Sequence, residues 1–257
     1  MGVGCCMKFD SKNNNMLTIQ KIQKENSLKE LILYYKSNKS FMNQKVRVIF
    51  KQICKSGKYY PDTLNLNFVS FSKMRTEYLL HLLPYLENLK VLKLWKAGLG
   101  SEGMKIVARD LGIISNLETL SLEENFIGPN GCMYLASSLE KLHKLRNLWL
   151  HINDIGPIGI CCICDVISNM PLLEKIGLDE NSIENKGAVK IMNALKGLKN
   201  IKILGLGYNA ISEEVALSLV RNLSGIKFEK IILAGNGISE GTLKLMKILL
   251  PETIIVV

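Results

Sequence analysis

The hexapeptide GLGSEG, Gly98 to Gly103, matches G-x-G-x-x-G. VLKLW before it reads as a strand and MKIVARDL after it as a helix. The following strand, LETLSLEE, ends in Glu123 and Glu124, where a ribose-binding acid would stand. In that order the glycines would bring backbone amides at a helix N-terminus close to a pyrophosphate. CCIC at 161–164 offers thiols for a soft metal, and the histidines are His81, His143 and His151. No paired Cys/His spacing for zinc accompanies them. A P-loop lysine motif is also missing, so no enzyme site, metal or cofactor is expected. In MGVGCC, Gly2 could accept a myristoyl group, and Cys5 and Cys6 could take thioester-linked acyl chains. The sixth residue departs from the usual Ser or Thr of that signal, being Cys6.

What positions these residues is a repeat. NLKVLKLWKAGL at 88–99 recurs as NLETLSLEENFI at 116–127 and KLRNLWLHINDI at 144–155. It returns as LLEKIGLDENSI at 172–183, NIKILGLGYNAI at 200–211 and FEKIILAGNGI at 228–238. One apolar position runs Leu92, Leu120, Leu148, Ile176, Leu204 and Ile231, at steps of 28, 28, 28, 28 and 27. A weaker copy, PDTLNLNFVSF at 61–71, places Leu64 another 28 residues earlier. Each unit joins a short alternating strand to an amphipathic helix such as GCMYLASSLEKL. No unit can bury its apolar face alone, so the units must stack.

Under this register GLGSEG becomes one of a series: FIGPNG, DIGPIG, SIENKG, AISEEV and GISEGT. Phe126, Asp154, Ser182 and Ala210 replace its first glycine, which a phosphate-binding turn would need for its backbone conformation. The last glycine returns as Gly131, Gly159 and Gly187, where helix and strand layers are expected to approach closely. The dinucleotide reading is therefore set aside. Cys164 aligns with Ala136 and is expected in the core, while Cys161 aligns with Met133.

The pattern L-x-x-L-x-L-x-x-N-x-L, over residues 60–257, resembles the leucine-rich repeat in its long, ribonuclease-inhibitor-like form. The resemblance implies an α/β solenoid, or horseshoe, of about seven repeats with a parallel concave β-sheet and convex helices. It also implies that Asn125, Asn153, Asn181, Asn209 and Asn236 place their amides inside the coil and satisfy backbone groups there. Ala97 and Val69 hold that position in the first two copies, so the ladder is expected to start late. The GTPase-activating protein of Ran is built from similar repeats, which makes regulation of a small GTPase the alternative function. A soluble scaffold or cytoskeletal subunit is the other alternative.

Before the array, SLKELILYYKSN could add a strand through Leu28, Leu31 and Leu33. SFMNQKVRVIFKQICKSG places Met42, Val46, Ile49, Phe50 and Ile53 on one helical face. The expected organisation is a flexible basic arm at 1–27, a helical N-terminal cap at 28–60 and the repeat domain at 61–257, closed by LPETIIVV as a last strand. The net charge of +10 is unevenly placed: 12 of the 33 Lys/Arg but three of the 23 Asp/Glu lie in residues 1–58. That leaves 21 basic against 20 acidic residues in the rest, so the body is neutral. A nucleic-acid reader would carry its cations across the folded face, and nucleic acid is not expected as a partner. An anionic membrane surface is, through the arm, because one acyl chain binds weakly and needs a second signal. The seven cysteines show no framework spacing and the first residues lack an apolar signal core, so a cytoplasmic protein at the cytosolic face of a membrane is expected.

Strand positions alternating with the inward leucines would form the binding face for a protein partner. They include Trp95, Glu123, Glu124, Trp149, His151, Asp179, Glu180 and Tyr208. Trp and Tyr are enriched at interface hot spots, and the interleaved acids favour a partner offering Lys/Arg and an apolar knob. No small-molecule substrate is expected.

Overall fold

A computed structural model describes residues 27–71 and 76–257, and the chain divides into two compact units between Lys58 and Tyr59. In the first unit, helix α1 covers 27–38 and α2 covers Gln44–Ser56. The Asn43 side chain accepts the Lys45 amide at 2.8 Å to start α2, and Gly57, at φ 71°, ends it with its amide on Ile53 O. Val46, Ile49, Phe50 and Ile53 are buried along one side of α2, as their spacing predicts. Tyr34 and Tyr35 of α1 lie 6.1 and 6.0 Å from the Phe50 ring. The strand expected through Leu28, Leu31 and Leu33 is thus a helix. Leu31 and Tyr34/Tyr35 follow the i, i+3/i+4 spacing of a helix face, and that face packs on Phe50. Leu33 is 64% exposed.

Among the described residues the second unit carries eight strands: β1 Thr63–Asn65, β2 Val91–Lys93, β3 Thr119–Ser121, β4 Asn147–Trp149, β5 Lys175–Gly177, β6 Ile203–Gly205, β7 Lys230–Ile232 and β8 Ile254–Val256. Between them stand α3 Glu77–Leu82 with a 3-10 turn at Leu83–Tyr85, α4 Gly100–Leu111, α5 Gly128–Leu139, α6 Gly156–Ile167, α7 Glu184–Leu195, α8 Glu213–Asn222 and α9 Glu240–Leu249. All strand pairs are parallel, in the sequential order β1 to β8. Leu64, Leu92, Leu120, Leu148, Ile176, Leu204, Ile231 and Ile255 face one another in register, and all are buried. Neighbouring strands sit about 4.8 Å apart, whereas packed helices need about 8–10 Å. The stack therefore bends with the sheet on its inner side. This is an α/β leucine-rich-repeat solenoid, and LPETIIVV supplies its last strand as expected.

The asparagine ladder ties the repeats. Asn181 Oδ1 accepts the amides of Asn153 at 2.9 Å and Ile155 at 3.4 Å in the preceding repeat. Its Nδ2 donates to Leu150 O, Leu178 O and Asp179 O. Asn125, Asn153, Asn209 and Asn236 repeat this pattern, and all five are buried. The resemblance implied that these amides satisfy backbone groups inside the coil; they do so both in their own repeat and in the preceding one. A second ladder, missed in the sequence, stands just before the strands. Lys90, Glu118, Arg146, Glu174, Lys202 and Glu229 alternate in sign at the repeat spacing. Glu174 holds both Arg146 and Lys202, the latter at 2.7 Å, and Lys90 reaches Glu118 at 3.6 Å. Opposite charges on adjacent strands favour this order and register.

The turns after β3 to β7 contain left-handed residues on both sides of the asparagine, and the turn after β2 has them on both sides of Ala97. Lys96, Glu124, Ile152, Glu180 and Tyr208 have φ of 52–57°, and Phe126, Asp154, Ser182 and Ala210 have φ of 51–55°. The absence of glycine from the latter positions therefore does not mark a different backbone. Gly98, at φ 64°, shares their conformation. What separates this fold from a dinucleotide-binding sheet is strand order: β1 to β8 run without the reversal that opens a ligand crevice. The recurring last glycine serves two close approaches, the nearer being to the isoleucine of its own turn, 2.8 Å from Ile155 Cγ2 for a Cβ on Gly159. A Cβ on Gly159 would lie 3.0 Å from Cα of Pro129 in α5, and one on Gly187 2.8 Å from Ile160 in α6. The glycines thus let each helix close both on the isoleucine of its own turn, Ile127, Ile155 or Ile183, and on the preceding helix.

Candidate functional site

The inner face of the sheet is built by the residues that alternate with the buried leucines. Trp95 stands on it beside Phe68, ring centroids 4.8 Å apart, and is 36% exposed. Its indole N–H donates to Glu124 Oε1 at 2.9 Å, while Lys96 Nζ lies 3.2 Å from Glu124 Oε2. The indole hydrogen bond, followed by that of Lys96, holds the Glu124 carboxyl below the usual glutamate range. Ser121 donates its hydroxyl to Glu123. Trp95, Glu123 and Glu124, with His151 and Ile152, line an open hollow of about 270 Å3.

One repeat further on, Trp149 stacks on His151 with centroids 5.6 Å apart and planes 20° from parallel. His151 Nδ1 lies 2.6 Å from Asp179 Oδ2, and Asp179 Oδ1 accepts the Gly207 amide at 2.7 Å. This chain leans toward the C-terminal repeats over positions that have no side chain. A Cβ on Gly177 would run into His151 and Trp149, and one on Gly205 into the Asp179 carboxylate. Tyr208, 62% exposed, covers Gly235 in the same way. Glycine at 177 and 205 in the strands, and at 235 in the turn after β7, is the condition for the side chains to lie flat across the sheet.

The structure thus brings Trp95, Glu123, Glu124 and His151 around one hollow, with Trp149 and Asp179 reached through His151. Glu180 is exposed, and neither it nor Tyr208 lines the hollow. The face is less acidic than its composition implies, because Lys96 lies against Glu124. Phe68 was missed in the sequence, although it has the register of Lys96, Glu124 and Tyr208. Gly2, Cys5 and Cys6 lie outside the described residues.

Elsewhere, burial pushes the thiols of Cys164 and Cys132 up to about 12, so neither is a ready nucleophile or ligand. Cys161 and Cys162 are half-buried. Among the described residues no group of three or more His, Cys, Asp or Glu could hold a metal ion. None of their helices is long and apolar enough to cross a membrane. His81 lies in α3, and burial lowers its pKa.

No protein-family model and no curated protein matches the chain. Among solved structures, the crystal structure of the TLR13–ssRNA13 complex is similar over 69% of this chain, at 19% identity and a TM-score of 0.31. The match spans 33% of that chain, so the present one corresponds to about a third of its length. At so low a score the assignment of the fold rests on the chain's own strand order and asparagine ladder.

Proposed function

We propose that the chain is a non-enzymatic interaction module of the ribonuclease-inhibitor-like repeat type, which captures a protein on its concave strand face. In this reading the amino-terminal arm holds it at the cytosolic face of a membrane through acylation at Gly2, Cys5 and Cys6. The observation that carries the binding role is the hollow among Trp95, Glu123, Glu124, His151 and Ile152. It offers an aromatic wall beside carboxylates, which suits an apolar side chain flanked by Lys or Arg. Tyrosine and tryptophan supply large contact area with few rotatable bonds. The tether rests on the coincidence of Gly2, two cysteines and the cationic arm, because two signals are needed for stable anchoring.

Intact mass of the protein from its own cells, with and without hydroxylamine, tests the tether. Loss of Met1, a myristoyl increment and a hydroxylamine-labile acyl group are expected; an unmodified terminus overturns it. Capture of membrane-proximal partners by wild type and by a Trp95→Ala/Trp149→Ala double variant tests the face. Truncating interface anchors costs about 2 kcal/mol or more, roughly 30-fold in affinity. Partners held equally by both proteins would show that they bind elsewhere.

A further inference from the structure

We infer that the convex surface carries a second docking site, a groove between α6 and α7 that receives an amphipathic helix with an acidic flank. The groove encloses about 770 Å3, and its lining includes Pro157, Ile158, Cys161, Val189, Lys186 and Lys190. The repeat register relates Cys161 and Val189 of its lining to Met133 beside it: the three are successive equivalents on α6, α7 and α5. Met133 is 53% exposed, Ile158 73% and Val189 41%, so an apolar stripe crosses three helices without cover from the rest of the second unit. A helix face of a soluble solenoid normally turns polar residues outward, and contiguous exposed apolar surface marks an interaction site.

Charge chooses the occupant. The groove lining holds Lys186 and Lys190, one turn apart on α7, and no carboxylate. Lys190 and Lys186 are exposed and form no ion pair among the described residues. A partner with Asp or Glu along one edge of an apolar ridge would meet both ammonium groups. The groove between two packed helices also has the shape that accepts the ridge of a third. An anionic lipid surface is less well matched. α5 and α6 contain no Lys or Arg, so this face offers a bilayer the two α7 cations, at about 1 kcal/mol each. The site is independent of the concave hollow, which lies on the strand layer.

Three synthetic helices with the same leucine ridge, flanked by Glu, Gln or Lys, test the proposal against the full chain by fluorescence anisotropy. The Glu-flanked helix should bind about tenfold tighter than the Lys-flanked one. Lys186→Glu/Lys190→Glu should reverse that order, and Ile158→Asp should remove binding. All three positions are exposed, so these variants keep the fold, which circular dichroism checks. Bound peptide should also slow alkylation of Cys161 and Cys162, read by peptide mapping, while Trp95→Ala/Trp149→Ala changes nothing. Failure of all three helices to bind, indifference to flank charge, or binding that survives Ile158→Asp would overturn the proposal. So would vesicles with about 30 mol% phosphatidylserine protecting the cysteines where the peptides do not, which would assign the face to lipid.

Discussion

Glu124 shows how a single residue on the concave face is held by its neighbours. Its backbone is left-handed, at φ 52°, and its carboxylate receives the Trp95 indole N–H and the Lys96 ammonium. Both donors favour the ionised form, the indole first, and lower the pKa. The ionised carboxylate therefore adds stability that is fully present above the ordinary glutamate range, near pH ~4.3, and is lost as pH falls through the lowered value. Trp95 reports this directly, because protonation removes the acceptor from its indole. In a Trp149→Phe background, which leaves Trp95 as the only indole, its emission should change in acid with a midpoint below ~4.3. The step should vanish in Glu124→Gln. A midpoint at or above the ordinary value would show that the indole does not hold the charged carboxylate. The Glu124 side chain was legible as an outward-facing acid; its capture by a tryptophan 29 residues earlier was not, since alternation gives a side chain's face but not its lean.

At the scale of the turn, backbone conformation overrides residue preference. Ala210 sits at φ 54° in the position that Gly98 and Gly237 hold at 64° and 67°. At both glycines a Cβ would meet nothing within 4 Å, so the cost of alanine there is torsional alone. That cost is about 1–2 kcal/mol for an L-residue in the left-handed region. Glycine's extra freedom in the unfolded chain takes back about 0.4–1 kcal/mol. The strain is the larger effect, so Ala210→Gly should stabilise by roughly 0.5–1 kcal/mol and raise Tm by about 1–4 °C. Scanning calorimetry checks this, and a fall in Tm would show that the turn relaxes around alanine. The same override explains what sequence reading lost here. Phe126, Asp154 and Ser182 do not look like residues chosen for positive φ, and their turns are dictated instead by asparagine amides from the next repeat. α1 was lost for a related reason: Leu31 and Leu33 also fit a two-residue alternation, and only the packing of Tyr34 and Tyr35 on Phe50 selects the helix.

Across the whole array, one side chain is placed five times, and the position of each copy decides what its loss does. The 28-residue step in the sequence was enough to find the strands, the helices and these asparagines, because stacking leaves each unit nearly the same environment. It did not reveal the reach of each amide into the preceding repeat, since a register shows equivalent positions and not which repeat a side chain contacts. That reach makes Asn181 and Asn236 a controlled pair. Both accept two amides of the preceding turn, and both donate to carbonyls of two repeats. Asn181 has two or more repeats on either side, whereas only α9 and β8 follow Asn236. Truncation to alanine leaves several buried backbone groups unpaired, at about 1–3 kcal/mol each. Asn181→Ala should therefore cost more than about 4 kcal/mol in denaturant unfolding and raise amide exchange in β4, β5 and β6 together. Asn236→Ala should confine its faster exchange to β7, α9 and β8, because repeats interact through nearest neighbours and an end can open without the middle. Equal, uniform loss of protection in both variants would show instead that the solenoid unfolds as one cooperative unit. In that case the ladder would act as a single structural element and not as five separate ties.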